Sequence, residues 1–249
     1  MSSPTIAMVL AAGLGTRMRP LTDHKAKALI EVGGKTLIDH TLDRLVEAGV
    51  TTAVVNVHAH AEQLIAHLDA RAARDSSLKL HVSDERGALL ETGGGVKKAR
   101  PLLGEAPIWV ANSDYVWTHD GQPPALARLA AQWDPQRMDS LVIVVPKDRT
   151  QGFETPGDFF RDEAGRLTHR GASATAPLHC FGVQIIDPRR VYEVPEDRFS
   201  LFRVWMAAAG YGRLFGYVPD GYWMQVGDPD ALAQAEARLR AAYPVATGV

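Results

Sequence analysis

Two glycines and two arginines follow directly after a short apolar run near the start of the chain. The segment "LAAGLGTRMRP", residues 10–20, overlaps the end of the run "TIAMVL" and contains Gly13, Gly15, Arg17 and Arg19. Glycine lets a backbone approach a ligand closely and direct N–H groups at it, and arginine carries a charge that titration does not remove. A helix that starts just beyond would add its dipole. The pattern fits a polyphosphate site, and equally a turn with solvated arginines.

Two other phosphate-binding motifs fit the chain poorly. A dinucleotide-binding turn needs glycine at three positions, G-x-G-x-x-G, and Met18 occupies the third of them. A Walker A loop needs G-x-x-x-x-G-K-[ST]; "GGKT" at 33–36 supplies its end, but Leu29 occupies the place of its first glycine. We therefore interpret "GGKT" as a turn that leads into a helix.

The elements that must position these residues alternate between strand and helix over the first 150 residues. Apolar runs such as "TIAMVL", "TTAVVNV", "PIWVANSD" and "LVIVVP" predict strands, and apolar residues at helical spacing, as in "TLIDHTLDRLVEA", predict the helices between them. This alternation indicates an α/β fold with a Rossmann-like, mostly parallel sheet flanked by helices. Ligands bind at the carboxyl ends of such strands, and "GLGTR", "ETGGG" and "NSDYVW" all follow predicted strands.

After about residue 150 the alternation stops. The segment "QGFETPGDFFRDEAGRLTHRG" predicts a loop and a short hairpin with Gly165 in its turn, and "APLHCFGVQIID", "GRLFGYVP" and "YWMQVGD" predict further strands. Helices are predicted in "RFSLFRVWMAAAG" and, after an Asp-Pro start, in "DPDALAQAEARLRAAY". No linker, repeat or low-complexity tract divides the chain, which predicts one domain over residues 1–249 with a β-rich second half that covers the site.

Composition argues against several classes of function. The 249 residues carry 27 Lys and Arg against 29 Asp and Glu, without the basic excess of a nucleic-acid-binding protein. The single cysteine, Cys180, cannot form an intramolecular disulfide, which favours a reducing compartment. No stretch approaches the ~20 apolar residues of a membrane span, and the start lacks a secretory signal pattern. We expect a cytoplasmic protein with small-molecule partners, and neither a nucleic-acid nor a membrane partner.

Residues 10–50 as a unit resemble the N-terminal signature of sugar-1-phosphate nucleotidylyltransferases. That signature runs Leu-Ala-Ala-Gly-x-Gly-Thr-Arg-x-Arg-Pro-Leu-Thr before a Pro-Lys-Pro and a helix, and this chain reads "LAAGLGTRMRPLTDHKAKALIEVGGKTLIDHTLDRLVEAGV". The motifs "ETGGG" at 91–95, Asn-x-Asp at 112–114 and "GYWMQVGDPDALAQAE" follow in the family's order, so the resemblance spans nearly the whole chain. The short length and "ETGGG" are most similar to the N-acetylmuramate-1-phosphate uridylyltransferases, with mannose-1-phosphate guanylyltransferase-like proteins close behind.

The resemblance implies transfer of a nucleoside monophosphate from an NTP, either UTP or GTP, to a sugar 1-phosphate, with release of pyrophosphate and with Mg²⁺ as cofactor. It implies a nucleotide-binding half, 1–150, and a sugar-binding half with a closing helix, 151–249. By the match to the family motifs, Arg17 would grip the leaving phosphates, Lys27 would lie near the α-phosphate, and Asp114 would bind Mg²⁺. The residues that would contact nucleotide and sugar are Leu10, Ala11, Ala12, Gly13, Gly15, Thr16, Glu91, Thr92, Gly93, Asn112 and Gly182.

Two departures from the family pattern affect the expected phosphate and metal contacts. Ala-Lys-Ala replaces Pro-Lys-Pro around Lys27, which predicts a looser loop that keeps its lysine. Gln225 stands at the family's second metal-binding aspartate, and a glutamine carbonyl can bind Mg²⁺ but adds no charge. Asp228 could bind the metal in its place, or could simply cap the last helix before Pro229, and Asp120 is a further candidate.

A third departure concerns the sugar phosphate. Many relatives hold it with the lysine of a Glu-Lys-Pro motif, which is absent after residue 140. The cations available for that contact are Lys147, Arg161, Arg166 and Arg170, and the sequence does not distinguish among them. A second hypothesis also stays open: with Gln225 at the metal position, the chain could hold a nucleotide or nucleotide sugar and turn it over poorly.

Overall fold

The computed structural model describes residues 3–118 and 121–243 of the chain. Its strands are β1 Ile6–Leu10, β2 Glu31–Val32, β3 Lys35–Thr36, β4 Thr52–Val57, β5 Lys79–Asp84, β6 Ile108–Asn112, β7 Tyr115–Trp117, β8 Ser140–Pro146, β9 Thr150–Gln151, β10 Phe159–Arg161, β11 Leu167–His169, β12 Leu178–Ile186, β13 Leu214–Tyr217 and β14 Trp223–Gln225. Its α-helices are α1 Leu37–Glu47, α2 Ala61–Arg74, α3 Glu91–Lys98, α4 Arg100–Leu103, α5 Ala125–Gln132, α6 Arg189–Tyr192, α7 Leu201–Gly210 and α8 Pro229–Ala242. Short 3-10 turns occupy Thr16–Met18, Lys27–Leu29 and Lys147–Arg149.

The first half of the chain forms a parallel sheet with the strand order β5-β4-β1-β6. β1 pairs in parallel with β4 on one side and with β6 on the other, and β4 pairs in parallel with β5. The carboxyl ends of these strands therefore meet at one edge of the sheet, as the alternation of strands and helices predicted. The segments that follow Leu10, Val57, Asp84 and Asn112 start along that edge.

The second half of the chain extends this sheet with mixed pairing. β12 runs antiparallel to both β6 and β8, and β13 is parallel to β8. The predicted strand "LVIVVP" is therefore present as β8, beside the late strand β12 rather than the first four strands. β10 and β11 form the predicted hairpin, with Gly165 in its turn at φ 89°. The fold is the predicted Rossmann-like α/β sheet flanked by helices, with antiparallel strands confined to its second half.

Apolar residues hold the helices against the faces of the sheet. In α1, Ile38, Leu42 and Leu45 recur at helical spacing and are fully buried in the largest cluster of core residues. Thr36 caps this helix by accepting a hydrogen bond from the Asp39 N–H at 3.3 Å. Such packing makes the strand ends a firm base for the loops that follow them.

A small second sheet joins the middle of the chain to its C-terminal part. β14 pairs antiparallel with β7 and parallel with β9. In this register Gln225 lies opposite Tyr115, the residue after Asp114. The C-terminal segment is thus brought to the carboxyl end of β6. Within residues 3–118 and 121–243, no helix has the length and apolar character needed to cross a membrane.

Candidate active site

A cavity of about 250 Å³ lies at the carboxyl ends of the parallel strands. The predicted site residues that line it are Leu10, Ala11, Ala12, Gly13, Lys27, Glu91, Thr92, Asn112 and Asp114. Its other lining residues are Ala28, Asn56, Glu85, Leu89 and Ser113. The predicted residues outside this lining are Gly15, Thr16, Arg17, Gly93, Gly182, Gln225 and Asp228. The structure therefore brings together all three segments that follow predicted strands, and it adds residues that the sequence had not singled out.

The turn after β1 is fixed by the side chain of Asn56, the next-to-last residue of the neighbouring strand β4. The Asn56 Oδ1 accepts hydrogen bonds from the N–H groups of Ala11, at 2.6 Å, and Ala12, at 3.2 Å. These two backbone donors are thus engaged by the protein itself. Ala11, Ala12 and Gly13 still line the cavity. Their contribution is thus the shape of the cavity wall, fixed by a buried side chain of the neighbouring strand.

Gly15 shapes the same turn through a backbone conformation that favours glycine. Its φ is 62°, and a Cβ there would lie 2.9 Å from the Thr22 Cγ2 and 3.1 Å from the Lys27 Cβ. The Thr22 hydroxyl donates a hydrogen bond to the Gly15 carbonyl at 2.7 Å. Thr16 then begins a single 3-10 turn, so the prediction of a helix start at this point is wrong and its dipole is missing. Gly15 serves close packing of the turn against Lys27.

Arg17 lies beside the C-terminal segment, outside the cavity lining. Its guanidinium forms an ion pair with Glu154 at 3.2 Å, and both side chains are more than half exposed. A Cβ on Gly227 would lie 3.3 Å from the Arg17 Nη2, so this glycine makes room for the arginine. Glu154 was not predicted from sequence, since nothing in its local pattern links it to a residue 137 positions earlier. The phosphate contact expected of Arg17 stays a prediction.

Lys27 and Asp114 form a close ion pair at the cavity wall. The Lys27 Nζ lies 2.6 Å from the Asp114 Oδ2, and the two side chains are only 16% and 17% exposed. Lys27 begins a 3-10 turn, and the alanines on either side, Ala26 and Ala28, are buried. The buried alanines thus anchor the segment in the core without proline rings, and the looser loop stays a prediction.

Asp114 keeps one oxygen available for a further ligand. Its Oδ1 is buried and has no hydrogen-bond partner among the described residues. A buried carboxylate oxygen without a partner is unusual, and Mg²⁺ prefers such hard oxygen ligands. No group of three or more His, Cys, Asp or Glu side chains within residues 3–118 and 121–243 is close enough to enclose a metal ion. The carboxylate fits one ligand of a metal whose remaining ligands come from elsewhere.

The structure distinguishes between the two candidates for a second metal ligand. The Val226 N–H donates to the Asp114 carbonyl at 2.9 Å, which holds Gln225 next to the metal-binding candidate. Asp228 instead accepts a hydrogen bond from the Ala231 N–H at 2.8 Å, and it is the N-cap of α8. This confirms the capping interpretation of Asp228. The third candidate, Asp120, lies outside the described residues.

The glycines of "ETGGG" face a different part of the chain from the one the sequence suggested. The Gly93 and Gly94 N–H groups donate to the Phe199 carbonyl at 2.8 and 3.1 Å. A Cβ on Gly93 would lie only 2.3 Å from the Phe199 ring. The Thr92 hydroxyl accepts a hydrogen bond from the Leu201 N–H at 2.8 Å. The glycines let the segment before α7 pack against the start of α3, while Glu91 and Thr92 line the cavity.

A buried pair, Asn56 and Glu85, closes the cavity on the side of β4 and β5. The Asn56 Nδ2 donates to the Glu85 Oε1 at 2.8 Å, and Glu85 is fully buried. A Cβ on Gly95 would lie 2.8 Å from that same oxygen, so Gly95 makes room for the carboxylate. The pair was missed from sequence. Part of the signal was present: Asn56 lies near the end of the predicted strand "TTAVVNV", just as Asn112 and Asp114 lie at the end of "PIWVANSD".

On the other side, Gly182 supports Asn112 from behind. A Cβ on Gly182 would lie 2.4 Å from the Asn112 Nδ2, so a larger residue there would displace this amide. The Tyr115 hydroxyl lies near the Asn112 side chain and the Gly182 backbone. Burial raises the pKa of the Tyr115 hydroxyl well above its ordinary value, which keeps it neutral. Gly182 thus acts through Asn112, a residue that lines the cavity.

The four cations considered for the sugar phosphate are bound to other parts of the second half. The Lys147 Nζ donates to the Thr175 hydroxyl and the Pro156 carbonyl, and the Arg161 Nε donates to the Gly216 carbonyl. Arg166 pairs with Asp162 at 3.8 Å, and Arg170 donates to the Ser173 carbonyl. None of the four lines the cavity.

Comparison with known proteins agrees with this geometry. The family model described as Nucleotidyl transferase matches residues 6–154, which include the turn after β1, Lys27, Glu91 and Asp114. The N-acetylmuramate alpha-1-phosphate uridylyltransferase of Caulobacter vibrioides is 50% identical over 238 residues, covering 95% of this chain and 98% of that protein. The protein of the same name from Neisseria meningitidis serogroup B is 46% identical, covering 93% and 96%.

A solved structure shows the same fold at low sequence identity. A putative glucose-1-phosphate thymidylyltransferase from Bacillus anthracis, in complex with a sucrose, superposes with a TM-score of 0.79 at 14% identity, covering 98% of each chain. The two close relatives are similar to this chain over nearly its whole length, and the family model covers the part of the chain that lines the cavity. This chain therefore belongs to the Nucleotidyl transferase family.

Proposed function

We propose that this protein joins UTP and N-acetylmuramate 1-phosphate to give UDP-N-acetylmuramate and pyrophosphate. An oxygen of the sugar phosphate attacks the α-phosphorus of UTP and forms the new P–O bond. The bond from the α-phosphorus to the bridging oxygen of the β-phosphate breaks, and pyrophosphate leaves with the electron pair. Such a reaction asks the protein mainly to position the two phosphates and to offset their charge.

The observation that carries this proposal is the Lys27–Asp114 pair at the cavity wall. A buried ammonium group 2.6 Å from a carboxylate can turn to a phosphate oxygen when one enters the cavity. Lys27 would then bind the α-phosphate, whose negative charge grows as the attacking oxygen approaches. Arg17, which pairs with Glu154 at 3.2 Å, would bind the β- and γ-phosphates in place of that carboxylate.

The Mg²⁺ dependence of the reaction is part of the proposal and is supported by the donor set. Asp114 Oδ1 and the Gln225 carbonyl are the protein oxygens that would hold the ion, with phosphate oxygens and water as further ligands. When bound there, Mg²⁺ would offset the charge of the triphosphate and orient it for in-line attack.

The buried Glu85 supports the choice of nucleotide. Glu85 lines the cavity, and a carboxylate accepts hydrogen bonds. Uracil and guanine each present a ring N–H where cytosine and adenine present an unprotonated ring nitrogen. The carboxylate thus favours UTP and GTP over CTP and ATP. Between these two, the names of the two close relatives favour UTP and N-acetylmuramate 1-phosphate.

The two halves of the chain would bind different substrates. Residues 1–150 contribute the lining of the cavity that would hold the nucleotide. Residues 151–249 contribute Gly182 behind Asn112, the segment docked on α3, and the closing helix α8. We assign sugar binding to this second half. Since UTP is a cytoplasmic metabolite, we place the reaction in the cytoplasm.

Two other functions are kept because specific observations favour them. A guanylyltransferase acting on mannose 1-phosphate is consistent with Glu85, which suits guanine as well as uracil. A nucleotide-sugar-binding protein with slow turnover is consistent with Gln225, which brings no charge to the metal.

Pyrophosphate release across a matrix of substrates tests these alternatives together. UTP, GTP, CTP and ATP are each combined with the 1-phosphates of N-acetylmuramate, N-acetylglucosamine, glucose and mannose, with and without Mg²⁺. We expect one strong signal, from UTP with N-acetylmuramate 1-phosphate, that requires Mg²⁺ and is lost in Asp114→Asn. The exposed Asp148→Asn serves as a matched control and should keep the signal. A signal only with GTP and mannose 1-phosphate, or no signal while UTP still raises the melting temperature, would contradict the proposal.

A further inference from the structure

An arginine lies at the rim of the cavity, next to a carboxylate of its lining. The Arg198 Nε is 3.3 Å from the Glu91 Oε1, and the Arg198 side chain is 67% exposed. Glu91 lines the cavity and has a φ of 63°, a backbone conformation that non-glycine residues rarely adopt. Such strain is found where the surrounding structure fixes a side chain for function. The Arg198 guanidinium therefore lies between the cavity and bulk solvent.

The backbone that carries Arg198 is firmly attached to the cavity wall. The Phe199 carbonyl accepts the N–H groups of Gly93 and Gly94, and the Lys97 side chain donates to the Pro195 and Glu196 carbonyls. A Cβ on Gly94 would lie 2.1 Å from the Asp197 carbonyl, which shows how closely the two segments approach. The Arg198 side chain is thus exposed to solvent, while its backbone is fixed at one place on the rim.

This placement distinguishes Arg198 from the cations described above. Lys27 is paired with Asp114, and Arg17 lies by Gly227, outside the lining. Arg198 is held by a single carboxylate of the cavity. An exposed ion pair of this kind contributes little stability, so an anionic group of a ligand can share or replace the glutamate.

The substrate of the proposed function has such a group. N-acetylmuramate differs from N-acetylglucosamine by a lactyl ether whose carboxylate projects from the sugar ring. A guanidinium recognises a carboxylate through two parallel hydrogen bonds. We propose that Arg198 binds the lactyl carboxylate of the sugar 1-phosphate and selects muramyl over glucosaminyl substrates, while Glu91 positions the guanidinium. The inference rests on the proposed function, since it requires that the sugar carries this carboxylate.

The test compares three sugar 1-phosphates with UTP: N-acetylmuramate 1-phosphate, its lactamide, and N-acetylglucosamine 1-phosphate. The variants are Arg198→Gln, Arg198→Lys and the control Arg203→Gln, whose half-exposed side chain pairs with Glu196 instead. For Arg198→Gln we expect kcat/KM for the acid to fall about 10- to 100-fold, the range for loss of a charged hydrogen bond. Values for the lactamide and for N-acetylglucosamine 1-phosphate should change less than about twofold. Arg198→Lys should retain part of the preference for the acid, because it keeps the charge without the fork.

The outcomes separate this inference from the proposed function. If the parent protein forms a UDP-sugar from none of these substrates, the proposed function fails and the inference fails with it. If the parent uses N-acetylmuramate 1-phosphate but Arg198→Gln lowers kcat/KM for acid and lactamide equally, the proposed function stands and the inference is overturned. An unchanged preference for the acid in Arg198→Gln overturns it as well. A loss specific to the acid, absent in Arg203→Gln and with an unchanged melting temperature, supports it.

Discussion

Replacing Asn56 by alanine should weaken the fold and the nucleotide side of the cavity together. The Asn56 side chain accepts from the Ala11 and Ala12 N–H groups and donates to Glu85. Asn56 is 3% exposed and Glu85 is fully buried, so water replaces these contacts poorly. The substitution removes the partner of two backbone donors and of one carboxylate oxygen. A single side chain thus links the turn after β1 to the end of β5.

The size of the effect follows from these contacts. A buried polar group left without a partner costs about 1–3 kcal/mol, and a charged group costs more. We therefore expect Asn56→Ala to lower the free energy of unfolding by about 3–5 kcal/mol, a large part of the roughly 5–15 kcal/mol typical of a domain. The KM for UTP should rise about tenfold, since the cavity wall loses its support.

Asn56→Asp should make the stability of the protein depend on pH. The introduced carboxyl still accepts from the Ala11 and Ala12 N–H groups. Its other oxygen takes the place of the Asn56 Nδ2, which lies 2.8 Å from the Glu85 Oε1. Two unit charges at that distance repel by about 6 kcal/mol at an effective dielectric constant of about 20. The pKa of the introduced carboxyl is therefore raised in the folded state, so its protonated form is favoured there. Stability is retained at low pH and is lost as the pH rises from about 5 to 8.

Urea unfolding at those two pH values measures both effects. The exposed Gln132→Ala is the control and should stay within about 0.5 kcal/mol of the parent. If Asn56→Ala were as stable as the control, the Asn56 hydrogen bonds would have no net value and the account of the cavity wall would be refuted. Equal stability of Asn56→Asp at both pH values would refute the proximity of the two carboxyl groups.

Two further perturbations test the phosphate contact and the helix packing. Glu154→Gln should lower the KM for the NTP about two- to fivefold at low salt, because no carboxylate then competes with phosphate for Arg17. The difference in KM between the variant and the parent should shrink near 0.5 M salt. A KM that is unchanged at low salt would contradict this competition. Burial by itself would raise the pKa of Asp39. Hydrogen bonds from Thr36 and Arg71 and the charges of His67 and Arg71 outweigh burial, so the pKa lies below its ordinary value. The ionised Asp39 therefore stabilises the fold above its ordinary pKa of 3.8, and this contribution is lost as the pH falls further. The difference in melting temperature between the parent and Asp39→Asn should narrow between pH 6 and pH 3. A difference that stays constant over this range would contradict the assignment.

Local patterns predicted the elements and the edge of the sheet where the cavity lies. The apolar runs of β1, β4 and β6 are buried on both faces, and parallel pairing follows from the helices between them. Once the strand directions are known, the segments after Leu10 and Asn112 must meet. The positions of Lys27, Glu91 and Asp114 in the cavity lining agree with the family resemblance. Their chemical roles stay predictions until the variants are assayed.

Contacts between distant parts of the chain could not be predicted in this way. The antiparallel entry of β12 between β6 and β8 depends on packing of the whole second half. The ion pair of Arg17 with Glu154 and the docking of Phe199 on Gly93 join residues more than a hundred positions apart. A glycine that admits a neighbouring chain segment has the same local pattern as a glycine that admits a ligand. Sequence alone therefore assigned Gly93 to the ligand, whereas its observed contact is with Phe199.

The charge around Asp114 bears on how Gln225 would fit the Mg²⁺ dependence proposed above. Lys27 and Asp114 together carry no net charge, and Gln225 adds none. These three side chains by themselves would therefore attract a divalent cation only weakly, whereas a triphosphate attracts it strongly. On the proposed mechanism Lys27 would turn from Asp114 to the α-phosphate when UTP binds. Asp114 would then be free to hold Mg²⁺ together with the phosphate oxygens, and the proposal does not need a second carboxylate at position 225.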